Sequence, residues 1–109
     1  MVKRLTQWQP REGLGRDDAL RYWTEQHAKL LVDVPGLRGY VQNVCTLAPD
    51  GSDPPYSGLG EAWFDSVQAA EEASASAEWA AVIEDARTFM DFSRLVVAWA
   101  EEVRVVAPA

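Results

Sequence analysis

The 109-residue sequence holds one cysteine and one histidine, and these scarcities exclude much. Cys45 alone cannot form an intramolecular disulfide, and with His27 as the only imidazole no Cys/His set has the spacing of a metal site. Basic residues are few: 10 against 17 acids, a formal charge of −7. That balance argues against nucleic acid, whose phosphates need a positive surface, and against an anionic membrane. No apolar run approaches the ~18 residues of a membrane span. The start, MVKRLTQW, has two bases with no apolar run behind them, unlike a signal peptide. Neither G-x-G-x-x-G, G-x4-G-K-[ST] nor G-x-S-x-G occurs, so no nucleotide cradle or nucleophile elbow is visible. What remains is one soluble, cytoplasmic domain over 1–109, with no cofactor and no metal expected.

What the chain does have is apolar mass. Nearly half its residues are hydrophobic, and five are tryptophan. Trp is costly to leave in water, so these rings should line a core, an interface or a pocket. The stretch Ala19–Tyr40, ALRYWTEQHAKLLVDVPGLRGY, organises the rest. Positions 20, 23, 27, 30, 31 and 34 fall on one helical stripe, from a start near Arg16 to a stop at Pro35-Gly36. Asp17 and Asp18 suit the helix's first turn.

Strands flank this helix. Val2–Gln9 reads as the first and Leu37–Leu47 as the second; APDGSDPPYSG (48–58) is a loop, and Leu59–Phe64 the third strand. Asp65 or Ser66 can cap a helical segment to Ala73, with Asp65 and Gln68 spaced as a capping box, and Ser76 can cap a second segment with the stripe Trp79, Val82, Ile83, Ala86 and Phe89 or Met90. Arg94–Val106 reads as the last strand. The order β-α-β-β-α-β predicts an α+β, ferredoxin-like fold: a four-stranded antiparallel sheet with two helices on one face. The last and third strands are apolar on both parities, so a partner chain should cover the face the helices leave. Two sheets facing each other would make a dimeric α+β barrel, a homodimer with an apolar interior suited to a small ligand.

The segments YWTEQHAKL, VPGLRGYVQN, GLGEAWFDS and FMDF before the final apolar strand resemble the EthD family of dimeric α+β barrel proteins, in order and over nearly the whole chain. The resemblance implies that barrel fold and points to the degradation of ethyl tert-butyl ether, with which EthD-type proteins are associated. Related proteins include decarboxylase-like members of fungal polyketide pathways. In the similar 4-methylmuconolactone methylisomerases, small cofactor-free enzymes of aromatic catabolism, a first-helix histidine and a tyrosine after the P-G-L turn take part in the reaction; His27 and Tyr40 fall on these positions. Those isomerases use a further cysteine and histidine that this sequence does not match.

Each candidate has a structural reading beside the functional one. His27 is either a packed core histidine or a general acid/base, the role its ordinary pKa suits. Tyr40 either packs its ring in the sheet or aims a hydroxyll donor into the pocket. Glu61 is either a partly buried carboxylate of raised pKa or the partner of Lys3, Arg4 or Arg38. Asp91 is a turn residue or a pocket-rim carboxylate. Asn43 or Gln42 can meet a substrate carbonyl, one on each face of the strand. Trp8, Trp23, Trp63 and Trp99 are core residues or pocket walls. The functional readings combine as a cofactor-free proton-transfer enzyme on a small apolar cyclic or aromatic-derived compound: isomerase, decarboxylase or dehydratase. Two rivals stand beside it: a cofactor-free or haem-linked monooxygenase, and a non-catalytic accessory protein that binds a hydrophobic ligand.

Overall fold

The computed structural model describes residues 1–108. Four strands, β1 (Val2–Trp8), β2 (Gly39–Val44), β3 (Gly58–Phe64) and β4 (Val96–Ala100), form one antiparallel sheet in the order β2-β3-β1-β4. Between β1 and β2 runs a helical stretch of three joined parts: α1 (Arg16–Tyr22), a π-helical turn (Trp23–His27) and α2 (Ala28–Leu31). Between β3 and β4 lie α3 (Val67–Ser74) and α4 (Ala77–Ala86), then a 3-10 turn (Phe92–Arg94). This is the ferredoxin-like arrangement the element order predicts.

Strand register sorts the side chains. Val2, Arg4, Thr6 and Trp8 of β1 pair with Phe64, Ala62, Gly60 and Gly58 of β3, and Ala62 and Gly60 pair in turn with Tyr40 and Gln42 of β2. Paired residues of an antiparallel ladder share a face, and this set lies under the helices. Lys3, Leu5, Val41, Asn43, Glu61 and Trp63 share the outer face. The helix-facing core has two parts. One gathers Val2, Leu31, Val34, Ala62, Phe64 and Val82; the other gathers Trp8, Leu20, Trp23, Ala86, Phe89 and Met90.

Several boundaries differ from the sequence expectation. The first strand ends at Trp8 and the second spans only Gly39–Val44. The first helical stretch stops at Leu31 rather than Val34. Residues 34–37 form a turn closed by Leu37 N–H donating to the Val34 carbonyl, with Pro35 second and Gly36 third at φ 78°, the placement a type II turn requires. Ser66, not Asp65, caps α3 by accepting from Ala69 N–H at 3.0 Å; Asp65 pairs with Arg38 instead, and the capping box does not form. Ser76 caps α4 through Trp79 N–H at 3.1 Å, as its position predicts. The last strand ends at Ala100 rather than Val106. Its ladder partner is β1, and Lys3 already pairs with Ala100, so β1 has almost no residues left to pair. Val103, Val105 and Val106 lie beyond it, exposed.

Candidate functional site

A cavity of about 60 Å3 opens between the sheet and the helices, lined by His27, Tyr40, Trp8, Trp23 and Arg4 among others. Sequence reasoning placed the pocket between two facing sheets; the structure forms this one within a single chain, on the helix side. The cause is β3: its helix-facing residues are Gly58, Gly60, Ala62 and Phe64, and the glycines leave room for large rings from the neighbouring elements.

His27 ends the π turn and is 3% exposed. Its Nδ1 lies 2.7 Å from Asp85 Oδ2, and the hydroxyl of Tyr22 donates to Asp85 Oδ1 at 2.5 Å. Burial holds His27 below its ordinary pKa of 6.5, outweighing the upward pull of Asp85. The ion-pair geometry alone would suggest an imidazolium; desolvation is the larger effect, so the ring is neutral at neutral pH. A carboxylate only accepts hydrogen bonds, so a neutral ring beside it carries its proton on Nδ1. Nε2 is then the unprotonated, basic nitrogen. Tyr22 keeps its proton, since its bond to Asp85 and burial both raise its pKa.

The π turn makes this possible. Residues five apart point about 140° apart on an α-helix, but the wider i→i+5 turn brings Tyr22 and His27 to the same carboxylate. Ala28 N–H donates to the Trp23 carbonyl across that turn, and Gln42 Nε2 from β2 donates to the same carbonyl at 3.0 Å. Gln42 Nε2 also reaches the Tyr40 hydroxyl at 3.3 Å. Tyr40 therefore accepts from Gln42 and keeps its own O–H to donate. Burial raises the Tyr40 pKa, which keeps that proton in place. Phe89 packs the group together, with ring centroids 5.0 Å from His27, 5.1 Å from Tyr22 and 5.3 Å from Trp8.

Of the residues singled out from the sequence, His27, Tyr40, Trp8 and Trp23 meet at this cavity. The others do not reach it. Glu61 is on the outer face, bonded to Lys3 Nζ at 2.9 Å and to Asn43 Nδ2 at 3.0 Å. These bonds lower its pKa, the reverse of the raised value burial would give. Trp63 is on that face too, under Lys3. Asp91 caps the 3-10 turn and pairs with Arg94. Trp99 lies across from Arg4 on the edge strand and is exposed. Of the Asn43/Gln42 pair offered for a substrate carbonyl, Gln42 is the one on the helix side; Asp85, Tyr22 and Arg4 are the residues that the sequence did not place in the site. Among the described residues no three His, Cys, Asp or Glu side chains group as metal ligands, and no helix is long and apolar enough to cross a membrane.

The fold is shared widely. An EthD family protein from Bacillus halodurans superposes with a TM-score of 0.81 at 23% identity, covering 94% of this chain and 99% of its own. A dimeric protein of ferredoxin-like fold from Bacteroides fragilis gives 0.68 at 12% identity, over 93% and 95% of the two chains. SnoaB, a cofactor-independent oxygenase from Streptomyces nogalater, gives 0.64 at 12% identity, over 99% and 97%. No curated protein matches the sequence at a significant level. The model of the EthD domain matches residues 11–93, most of the chain and all of the helical stretch that carries His27, and the protein belongs to the EthD family.

Proposed function

We propose that this EthD protein is a cofactor-free enzyme that moves a proton on a small apolar cyclic or aromatic-derived carbonyl compound. The observation that carries the reading is His27, oriented by Asp85 and Tyr22 and lining the same apolar cavity as the Tyr40 hydroxyl. Nε2 takes a proton from the carbon beside the substrate carbonyl. The C–H electron pair moves to the carbonyl oxygen, which Tyr40 stabilises by donating its O–H. Return of the proton to another carbon is an isomerisation; expulsion of a β-hydroxyl from the enolate, which leaves as water with that proton, is a dehydration; a β-keto acid reaches the same enolate by losing CO2, the C–C electron pair moving to the carbonyl oxygen, and protonation of that carbon completes a decarboxylation. Trp8 and Trp23 keep water from the intermediate. In D2O the protein should wash deuterium into such a compound at the acidic carbon, read by proton NMR over a panel of cyclic ketones and lactones. Ligand binding without exchange would instead favour the accessory, ligand-sequestering role.

A second reading, oxygenation without a cofactor, has the fold likeness to SnoaB in its favour. Oxygen uptake with the same panel separates the two.

The chain should work as a homodimer through its outer sheet face, as the Bacteroides fragilis protein of the same fold is dimeric. Val41 and Val96 on that face are 43% and 55% exposed in the single chain, beside Leu5, Leu59 and Trp63. Sedimentation at micromolar concentration should give a dimer that Val41→Asp dissociates. A wild-type monomer would contradict the partner-covered face.

A further inference from the structure

We infer that Arg4 binds a carboxylate inside the His27 cavity, and that the site's ligand is a small apolar compound carrying one carboxylate group. The inference rests on the reading of this cavity as the substrate site. Arg4 lies on the helix-facing side of β1, between Ala62 of β3 and Trp99 of β4, and lines the cavity with His27 and Tyr40.

Several other bases are paired. Lys3 holds Glu61 and Glu102, Arg38 holds Asp65, and Arg94 holds Asp91. Arg4 pairs with no acid among the described residues, and its Nε is buried without a hydrogen-bond partner. In a chain with 17 acids against 10 bases, a lone cation on the covered face is unexpected. Arg4 is partly buried, and an enclosed guanidinium N–H is costly to leave without an acceptor. Asp85, the carboxylate nearest the chemistry, has both oxygens committed to His27 and Tyr22. No acid among the described residues pairs with Arg4, which leaves its enclosed Nε open to a group from outside the chain.

The setting suits a planar anion. Trp79 packs against the guanidinium, 4.7 Å from its ring centroid, and the planar fork of an arginine suits two parallel N–H···O bonds to a carboxylate. Thr6, two residues along the same strand face, adds a hydroxyl to the lining. Most of the remaining wall is apolar, part aromatic and part aliphatic. A volume of about 60 Å3 has room for roughly four to six waters, and four liquid waters occupy about as much space as a single ring. A carboxylate held by Arg4 would lie at one side of the cavity and leave the carbon skeleton between Tyr40 and His27. Burial alone lowers the Arg4 pKa, which marks how little the protein itself compensates this charge.

The test is calorimetric titration of the full chain with benzoate and cyclohexanecarboxylate, each against its primary amide, benzamide and cyclohexanecarboxamide. The acids should bind at least tenfold more tightly than the amides. Arg4→Gln should erase that preference, and Arg4→Lys should keep part of it. A thermal melt checks that each variant folds; if Arg4→Gln does not, the wild-type comparison and Arg4→Lys decide. Equal binding of acid and amide, binding of neither, or an undiminished preference in Arg4→Gln would overturn the proposal. His27→Gln should retain the preference for acids, so a failure of the proton-transfer reading, seen as exchange that survives in that variant, is distinct from a failure here.

Discussion

Replacing His27 by Gln is expected to lower protein-dependent deuterium exchange by about 10²–10⁴-fold, the usual worth of a positioned general base. Gln is the informative substitution because its amide N–H can still donate to Asp85, which otherwise keeps only Tyr22 as a partner. It also fills most of the space against Phe89, so the fold should survive. His27→Ala would confound the result: it leaves a hole in a fully packed aromatic group and a half-buried carboxylate short of one donor. Asp85→Asn should act through His27 rather than on the substrate. Loss of the carboxylate removes the charge that holds the proton on Nδ1, and an amide can turn its NH2 to that nitrogen and favour the other tautomer. Exchange measured on the two variants with circular dichroism as a fold control checks both. Activity undiminished in His27→Gln would remove the imidazole from the mechanism.

Gly58→Ala should cost about 3 kcal/mol or more, at or above the upper end for overpacking, and lower Tm by roughly 12 °C or more in a domain of this size. Gly58 has no positive φ, so the reason is space alone. A Cβ there would stand 2.7 Å from Trp8 Cε2 and 2.8 Å from Trp23 Cζ3, and closer still to Trp8 Nε1. Both rings are fully buried and neither can swing away. Gly60→Ala is the control: its Cβ would meet Trp23 and the Tyr40 hydroxyl at 3.7 Å, an ordinary contact. It should fold with little loss of stability while narrowing the cavity beside Tyr40 and weakening ligand binding. Thermal melts of the pair check the difference; two equal melting temperatures would contradict the crowding at Gly58.

These glycines also mark what the sequence could have disclosed. Residues 58, 60 and 62 are small and share one parity of β3, while Leu59, Glu61 and Trp63 share the other. Small residues on one side of a strand signal large neighbours there, and that pattern points the pocket to the Gly60 side and away from Glu61. Without register, the carboxylate drew more notice than the gap beside it. The helical stripe was enough to bury His27 with Leu20, Trp23 and Leu31, and the family resemblance, not periodicity, picked out Tyr40. Asp85 was not legible because a charged residue between Ile83 and Ala86 reads as solvent-facing. Tyr22 was missed because α-periodicity puts it off the stripe, and nothing in WTEQH announces a π turn. Arg4 was read, with Lys3 and Arg38, as a possible partner of Glu61, although alternation in β1 sends Lys3 and Arg4 to opposite faces.

Because His27 is the only histidine, nitrogen-15 NMR reads its ring without ambiguity. Burial lowers its pKa, so the proton that blocks Nε2 should bind only below pH 6.5, and activity should fall on that acid side. The folded state then takes up that proton less readily than the unfolded chain, so this group's contribution to stability is present above pH 6.5 and is lost as pH falls through the lower folded pKa. A pH titration should give a midpoint below 6.5 and, above it, a neutral ring with the proton on Nδ1. A midpoint above 6.5, or a neutral ring protonated on Nε2, would contradict a base held ready by Asp85.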